Sequence, residues 1–371
     1  MPGQERDIKS YQPQLDSLRT MAVSLVLIQH SMPLAKIPVL HSIGATGVAA
    51  FFVLSGFLIS GILLSARDAV QRGQGRAVEA LKSFYARRSL RIFPLYFAVL
   101  ALVVIAGTNG VRGYWPWHAL YLSNYLSAAA GHYVYPTHFW SLSVEEQFYL
   151  LWAPIVLFFP RKWLLPVAAA MIAIGPVSRI LLYAWRHSMV TAFTPTMACL
   201  DLLGLGCVLA LWTAETGTVQ GRAMPTRLAV LGLALGAVEA ILEIAGSAVW
   251  VRVFLNTLPW ALVACWLTDR AAAGFTGPIG RLLEWKPLVY LGKISYGIYI
   301  YHVFVPLVVP WILGPSLGAF FPARGLARLA VVSLLTVAVA SASWAFFEGP
   351  LNRQKDRFRF PPSDQRSVPA R

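Results

Sequence analysis

About ten long apolar segments, separated by short polar loops, dominate this chain of 371 residues. Hydrophobic residues form 57% of it, charged residues only 13%, and the mean hydropathy is +0.61. Only helices and closed barrels satisfy every backbone polar group inside a bilayer, and about 20 apolar residues match the length of a spanning helix. The sequence therefore predicts an all-α integral membrane protein of about ten transmembrane helices. Their approximate ranges are 15–35, 44–66, 90–108, 140–160, 163–185, 194–213, 226–246, 249–268, 287–313 and 325–347.

The distribution of lysine and arginine predicts how these segments are oriented. The formal net charge is +15, which could suggest nucleic acid as a partner, but the basic residues concentrate in alternate short loops. That is the positive-inside pattern, so we expect membrane lipids and no nucleic acid as partners. Both termini are predicted in the cytosol, with the protein crossing the inner (plasma) membrane many times. The predicted divisions are a cytosolic segment at 1–14, a transmembrane domain at 15–350 and a basic, disordered cytosolic tail at 351–371.

Ionisable residues in the first apolar segment indicate a functional site. Arg19 and His30 are eleven residues apart, and eleven helical steps of about 100° come within about 20° of whole turns, so both lie on one face. Asp16 precedes Arg19 by three residues and can pair with it. Since an ionisable side chain in a spanning helix costs roughly 3 kcal/mol, this face should meet protein or water, with His30 deep in the helix. The alternatives are structural: Arg19 reaching to the interface, and His30 bonding a backbone carbonyl.

A second group of charges opens the third segment, in the sequence KSFYARRSLRIFPLYF at 82–97. Arg88 and Arg91 are three residues apart, so they share a helical face and can clamp a phosphate, with Arg87 beside them. The start of the span puts these arginines at the cytosolic face. The alternative is a positive-inside anchor for lipid headgroups. Pro94 is expected to kink or restart the helix, because it removes one backbone hydrogen bond.

Two adjacent carboxylates, Glu145 and Glu146, stand near the start of the fourth segment, in HFWSLSVEEQFY at 138–149. The predicted orientation makes this the outward end. Adjacent residues of a helix point in different directions, so we expect only one of the two to enter a site. The alternative is an interfacial helix start, with Ser141 or Ser143 as N-cap and the glutamates in the first turn.

Aromatic and polar side chains complete the set of candidates. The outer loop before the fourth segment is rich in aromatic residues, which form either a headgroup belt or a platform for sugar rings. The acceptor candidates are Trp117, Tyr135 and Trp140. Polar residues within spans either make helix–helix contacts or support a site. The supporting candidates are Asp16, Ser141, Gln147, Tyr149, Asp201, Tyr301 and His302. No spacing typical of a metal site or a nucleotide-binding glycine loop occurs, so we expect no metal and no tightly bound cofactor.

Several strings, in this order along nearly the whole chain, resemble the membrane acyltransferase-3 family, the bacterial polytopic O-acyltransferases of surface polysaccharides and related acceptors. They are Arg19 with His30, FFVLSGFLIS at 51–60, RRSLRIFPLY at 87–96, WSLSVEEQFYLLW at 140–152, ISYGIYIYH at 294–302, and Glu348 with Pro350. One departure is visible, because Ala49 and Ala50 stand where relatives often carry a polar residue. No polar contact of the family is carried over to that position.

The resemblance implies a ten-helix fold that takes an acyl group, acetyl foremost, from cytosolic acyl-CoA as co-substrate. It implies delivery to a hydroxyl of an acceptor outside, foremost a cell-surface or exopolysaccharide sugar, or else a glycolipid. The matching residues are His30 and Arg19 for catalysis, Arg88 and Arg91 for the donor, and Glu145 or Glu146 as the catalytic carboxylate at the outward end. His30 would act either as a general base or as a transient acyl carrier. Whether the chain forms an oligomer is left open.

A proton-coupled transporter is the alternative function, because intramembrane Asp, His and Glu residues also form proton relays. Inverted repeats would favour a transporter, and we find none in the sequence.

Overall fold

The computed structural model describes residues 12–33, 42–217, 223–246, 249–255, 257–318 and 321–361, and this part of the chain contains helices and irregular segments without a strand. Its α-helices, α1 to α18 in chain order, are Pro13–Ser31, Ile43–Gln71, Ala77–Ala106, Trp115–Ala119, Ser123–Ala130, Phe139–Phe158, Arg161–Arg186, Met189–Phe193, Leu200–Thr216, Ala223–Ile244, Val249–Leu255, Leu258–Ala273, Gly277–Leu283, Lys286–Lys293, Ser295–Tyr301, Val305–Gly318, Leu326–Ser343 and Gly349–Arg353. There are 3-10 turns at Thr108–Gly113, Thr196–Cys199 and Gln354–Phe358, and a π turn at Trp344–Glu348. The all-α prediction is confirmed for the described residues.

Six helical segments are long and apolar enough to cross a membrane, or seven if the bent pair α15 and α16 is one span. The six are Ile43–Gln71, Ala77–Ala106, Arg161–Arg186, Thr196–Thr216, Val249–Ala273 and Leu326–Phe358. Neither α1 nor α6 is among them, and both carry charged and amide side chains. By length and composition, then, the described residues form a multi-pass membrane protein, with fewer clear spans than the ten predicted.

The third span begins earlier than the sequence analysis placed it. α3 starts at Ala77, where Arg76 and Glu79 form a capping box that satisfies the first backbone N–H groups. Arg88 and Arg91 are therefore the twelfth and fifteenth of its 30 residues. At 1.5 Å per residue they lie roughly 16 and 21 Å along the helix, which begins more than three turns before the predicted start of the span at residue 90.

The ninth apolar segment is a broken helix and not one continuous span. Its predicted range, 287–313, covers parts of α14, α15 and α16, and the axes of α15 and α16 differ by 60°. His302 lies at the break between them. Pro306 is the second residue of α16, a position where the missing N–H of proline would be free of helical bonds in any case. By contrast, Pro94 lies inside a continuous α3, so the predicted restart does not occur there.

The first part of the predicted disordered tail has a defined conformation. Helical turns continue to Phe358, whose carbonyl accepts a hydrogen bond from Ser83 of α3. Phe360 packs against the main hydrophobic core. The prediction of disorder is therefore wrong for residues 351–361, because this segment has an apolar anchor and a backbone contact. The remainder of the tail, 362–371, lies outside the described residues, as do 1–11 of the N-terminal segment.

Helices α2 and α9 pack at backbone distance in the centre of the fold. A Cβ atom at Gly56 would collide with the carbonyl of Leu203 in α9, and one at Gly206 would collide with the carbonyl of Val53 in α2. Glycine at both positions lets the two helices approach this closely. This reciprocal contact fixes α2, which forms one wall of the site described below.

Helix α1 is attached to the segment that includes α13 and α14 by side-chain hydrogen bonds to backbone carbonyls. Ser17 donates to the carbonyl of Leu283, and Thr20 donates to that of Leu288 at 2.6 Å. The face of α1 that bears Arg19 does not make these bonds and points in another direction. The orientation of α1 about its own axis is thereby set.

Candidate active site

A cavity of about 80 Å³ lies between α1, α2, α3, α6 and the start of α15. Its lining residues are Arg19, Val48, Phe51, Phe52, Ser55, Arg88, Arg91, Ile92, Ser141, Leu142, Glu145, Glu146, Tyr149, Ser295, Tyr296 and Tyr299. Three arginines and two glutamates thus meet within an apolar and aromatic wall. A larger groove of about 310 Å³ between α1, α2 and α12 has no charged lining residue. The chemistry therefore concentrates in the smaller cavity, which we call the arginine cavity.

The arginines of this cavity are held in different ways. Arg19 Nη1 lies 3.1 Å from Asp16 Oδ1, the pairing that the three-residue spacing predicts. The guanidinium of Arg88 lies over the ring of Tyr149, with its Cζ 4.7 Å from the ring centroid. Such a cation–π contact fixes the guanidinium plane without occupying its N–H groups. Arg91 lines the same wall from the next turn of α3.

Arg87 does not line the arginine cavity, although it was predicted with the donor-binding group. Its charge acts on Lys355 and Asp356 in the 3-10 turn that follows α18. One helical step of about 100° separates it from Arg88, which does line the cavity.

Both glutamates of the pair line the arginine cavity, so the expectation that only one enters was wrong. Glu145 Oε1 accepts a hydrogen bond of 2.5 Å from Ser55, and Ser55 Oγ in turn accepts one of 3.2 Å from Tyr149. Glu146 Oε1 is buried and has no hydrogen-bond partner in the described part of the chain. Helices flank α6 on both sides here, so neighbouring residues about 100° apart can reach one cavity.

The start of α6 differs from the predicted N-cap arrangement. The helix begins at Phe139, with His138 as N-cap and no side-chain capping bond. Ser141 instead donates to the carbonyl of His138 at 3.0 Å and shares a 2.5 Å hydrogen bond with the hydroxyl of Tyr299. Glu145 therefore lies in the second turn, and neither Ser141 nor Ser143 is an N-cap.

His30 lies outside the arginine cavity, in the last turn of α1. The prediction of a deeply buried histidine was wrong, because its side chain is exposed. The cause is local: Pro33 disfavours helical conformation at Met32, which is extended at φ −97° and ψ 150°, so α1 ends at Ser31. His30 Nδ1 is 2.9 Å from the carbonyl oxygen of Val26. The backbone contact that the alternative interpretation expected is thus present.

A group of histidine rings meets at this end of α1. The ring centroids of His30 and His302 are 4.9 Å apart in an edge-to-face arrangement, and those of His302 and His138 are 5.2 Å apart. His302 Nδ1 lies 2.6 Å from the carbonyl oxygen of Tyr299. Tyr299 lines the arginine cavity and bonds Ser141 there. It therefore connects the cavity to the three rings, which we call the histidine cluster.

Asp201, predicted to support the site, belongs to a separate buried ion pair. Its two carboxylate oxygens lie 2.9 and 2.7 Å from Nη1 and Nη2 of Arg179 in α7. The Asp201 and Arg179 side chains are only 0% and 1% exposed. Neither residue lines the arginine cavity. The pair joins α7 to α9.

Two further supporting candidates also make structural contacts away from the cavity. Gln147 donates to the carbonyl of Tyr121 at 2.7 Å and accepts from Thr196. Tyr301 donates to Ser343 at 3.1 Å, and that serine donates to Glu348 on the π turn at 2.7 Å. These contacts tie α6 to the neighbouring loops and α15 to α17.

The aromatic acceptor candidates are not brought together in the cavity. Trp117 is 42% exposed, Tyr135 packs edge-on against Phe304 at 5.9 Å, and Trp140 contacts the rings of Phe52 and Tyr133. They lie in or next to the segment between α3 and α6. None of the three lines the arginine cavity.

Five polar residues of the cavity and the cluster escaped the sequence analysis. Ser55, Ser295, Tyr296 and Tyr299 line the arginine cavity, and His138 belongs to the histidine cluster. Serine and tyrosine are ordinary residues in spanning helices, so burial gives no warning of their role. A usable signal for the tyrosines was their spacing of three residues, which puts both on one face of α15.

The arrangement suits an anionic ligand and proton transfer. Guanidinium groups with free N–H groups bind phosphate or stabilise an oxyanion, and the glutamates and imidazoles can exchange protons. Within the described ranges, no group of three or more His, Cys, Asp or Glu side chains has the geometry to hold a metal ion.

Comparison with known proteins identifies one family and relatives within it. A family model described as an acyltransferase domain, Acyl_transf_3, matches residues 12–348. The peptidoglycan O-acetyltransferase OatA of Listeria monocytogenes is 28% identical over 93% of this chain and 56% of its own length. The O-acetyltransferase OatA of Staphylococcus aureus is 25% identical over 93% of this chain and 58% of its own length. The chain thus spans little more than half the length of these relatives. No solved structure matches. These matches do not favour a transporter.

Proposed function

The chain belongs to the acyltransferase-3 family, and from that premise we propose that it is a membrane O-acyltransferase. It transfers an acyl group, acetyl foremost, from acyl-CoA to a hydroxyl of a carbohydrate acceptor at the cell surface. The observation that carries the proposal is the arginine cavity, in which Arg19, Arg88 and Arg91 line one space with two carboxylates. Arginine residues at membrane depth are expensive and mark binding sites for charged ligands.

The donor end of the proposal rests on the arginine pair of α3. Acyl-CoA carries several phosphates, and guanidinium groups bind phosphate through charge-assisted hydrogen bonds. Arg88 is oriented by the ring of Tyr149, 4.7 Å away, which leaves its N–H groups available. Arg91 lies one turn further into the span. We propose that this pair holds the anionic part of the donor or the negative charge that develops at its thioester.

The acceptor end rests on the histidine cluster. His30 is exposed and its Nδ1 is engaged by a backbone carbonyl, so Nε2 is the available base. In the first version of the mechanism it removes the proton of the acceptor hydroxyl as that oxygen attacks the acyl carbonyl. In the second it carries the acyl group as an acyl-imidazole. The relatives named peptidoglycan O-acetyltransferases suggest a glycan acceptor; a glycolipid is the other acceptor of the same chemistry.

We also propose how the chain is oriented in the membrane, with a cytosolic donor side and an outer acceptor side. In this orientation the N-terminus of α1 and the ends of α2 and α6 lie in the cytosol, as the basic loops suggest. Ten crossings then result if α1, α6, α10 and the broken α15–α16 segment cross together with the six clear spans. We propose that the donor reaches the arginine cavity from the cytosol in this arrangement and that His30 lies toward the outer face of the inner (plasma) membrane.

The test uses the full chain, purified and reconstituted in proteoliposomes. Acetyl-CoA labelled in the acetyl group is supplied with soluble N-acetylglucosamine oligomers, and released CoA and base-labile label on the oligomer are measured. We expect both products to appear in equal amounts and only when donor and acceptor are present. The proposal would be contradicted if acyl-CoA donors of every chain length tested remain intact with both glycan and glycolipid acceptors. Arg88→Ala together with Arg91→Ala is the inactive control.

A further inference from the structure

We propose that His302 and His138 form a proton relay with His30, which carries the proton of the acceptor hydroxyl away from the reaction centre. The inference rests on the proposed function and adds two residues to it. Its basis is the sequence of ring contacts, 4.9 Å from His30 to His302 and 5.2 Å from His302 to His138. The three rings come from the end of α1, the break after α15 and the N-cap of α6. Three segments that are far apart in the sequence therefore each contribute one histidine to the cluster.

The backbone contacts of the rings define which nitrogen is basic. His30 Nδ1 lies 2.9 Å from the carbonyl oxygen of Val26, and His302 Nδ1 lies 2.6 Å from that of Tyr299. A carbonyl only accepts, so each Nδ1 carries the hydrogen and each Nε2 keeps its lone pair. His302 Nε2 is buried and has no hydrogen-bond partner among the described residues. It is therefore free to accept a proton from His30.

His138 extends this path into the protein. His302 and His138 are 2% and 3% exposed, whereas His30 is exposed. Neither ring nitrogen of His138 has a hydrogen bond of good geometry within the described segments, although the backbone of Ile300 interacts with the ring. Buried polar nitrogens without partners are destabilising and usually have a function or hold water. Proton exchange between imidazoles gives these nitrogens such a function.

Among the residues that the structure describes, few other titratable groups face the cluster. Tyr299 of α15 contacts the rings of His138 and His302 at 5.5 and 5.4 Å. His118 of α4 acts on His138 electrostatically, and its Nδ1 lies 2.8 Å from Ser123 Oγ. Burial lowers the pKa of His118 to about 4, so this ring stays uncharged at neutral pH. The remaining ring contacts of His138 are to Phe139 and Phe304.

The proposed step balances as follows. The acceptor oxygen forms a bond to the acyl carbon while its O–H proton moves to Nε2 of His30. The carbon–sulfur bond breaks, and its electron pair leaves with the thiolate of CoA, which takes a proton from water. His30 then passes its proton from Nε2 to Nε2 of His302, and the same nitrogen shares it with His138. The proton returns by the same path and leaves to water from His30, the exposed ring of the cluster. No oxidant, reductant or further reactant is needed.

The decisive variants replace His302 or His138 by phenylalanine, which removes the ring nitrogens and keeps an aromatic ring at the same position. In His302→Phe we expect kcat to fall on the order of 10²-fold with the KM for acetyl-CoA unchanged. The acid limb of the kcat profile should also move to lower pH. The neutral imidazole of His302 accepts a hydrogen bond from protonated His30, which favours the protonated form, and phenylalanine cannot do so. His138→Phe should show the same two changes, smaller in size.

Non-additivity and matched controls separate a relay from packing. His30→Gln combined with His302→Phe should be no slower than His30→Gln alone, because both act in one step. Phe304→Leu changes the packing against His138 without removing a nitrogen, so it should leave the acid limb in place. His132→Phe replaces an exposed histidine outside the cluster and should behave as wild type. If His302→Phe does not fold, His302→Gln, which retains a donor for the Tyr299 carbonyl, replaces it and should show the same loss.

Two results would overturn the inference, and they are distinguishable. A wild-type chain that transfers acetyl, with His302 and His138 variants that keep its kcat and its acid limb, refutes the relay and leaves the proposed function intact. A wild-type chain that transfers no acyl group refutes the proposed function, and the relay with it.

Discussion

Removal of the carboxylate of Asp201 tests whether this residue stabilises the fold or serves the reaction. Arg179 makes five hydrogen bonds through its side chain, three to the carbonyls of Ala198, Val253 and Phe254 and two to Asp201. All five N–H groups of the guanidinium are therefore satisfied. Asp201→Ala leaves two of them without partners and the buried charge without compensation.

The expected magnitude follows from these contacts. Two charge-assisted hydrogen bonds at about 1.5–3 kcal/mol each suggest that the free energy of unfolding falls by roughly 3–6 kcal/mol. Breaking a buried ion pair by removal of one partner costs about 3–5 kcal/mol, which agrees. Asp201→Leu combined with Arg179→Met should recover most of that loss, because no charge then remains buried. A matched control is Asp68→Ala, whose partner Arg161 lies 3.2 Å away with both side chains 38% exposed; about 1 kcal/mol or less is expected there.

The assay is equilibrium unfolding by sodium dodecyl sulfate in mixed micelles, followed by tryptophan fluorescence, together with acetyl transfer by the folded fraction. We expect Asp201→Ala to unfold at much lower detergent fraction while its folded fraction retains the kcat of the wild type. A variant with wild-type stability and no activity would refute this reasoning and return Asp201 to the reaction centre.

Three further predictions concern the site and its orientation. Arg88→Ala and Arg91→Ala should each raise the KM for acetyl-CoA by about 10- to 150-fold, the equivalent of about 1.5–3 kcal/mol; unchanged donor affinity in folded variants would make these arginines lipid anchors. His30→Gln should still bind donor but lose on the order of 10²- to 10⁴-fold in turnover, and wild-type turnover would rule out both mechanistic versions. Gln71→Cys should react with a membrane-impermeant thiol reagent only from the cytosolic side and Ala130→Cys only from outside. The three native cysteines are buried and give little background, and labelling of both positions from one side would reject the orientation.

The sequence predicted much of the helical framework because apolar length alone defines a span. The fourth and fifth segments, 140–160 and 163–185, match α6 at Phe139–Phe158 and α7 at Arg161–Arg186 to within about two residues. The start of α3 was missed because its first turns are rich in charge and resemble a loop. Those residues remain helical through the capping box at the start of α3, and Arg88 and Arg91 turn their charges into the cavity.

Within the site, the charged residues were predictable and the uncharged ones were not. Arg19 and Glu145 stood out because a charge in a span is expensive, and both line the arginine cavity. Ser55 and Tyr299 carry no such penalty, so only their tertiary contacts reveal them. Asp201 stood out for the same reason as Arg19, yet its partner Arg179 satisfies it elsewhere. Charge in a span identifies a residue that needs a partner, but it does not distinguish a ligand from another side chain.

The backbone contact between α2 and α9 has a consequence for how this protein tolerates change. Gly56 faces α9, whereas its neighbour Ser55 faces the arginine cavity and holds Glu145. A methyl group at Gly56 would meet the Leu203 carbonyl, and α2 would have to shift or rotate to relieve the clash. Ser55 would move with it, since the two share one rigid turn. A mutational scan should therefore score Gly56 and Gly206 as intolerant for activity at temperatures where the variants are still folded. Natural or engineered variation at this helix contact would act as a remote adjustment of the cavity.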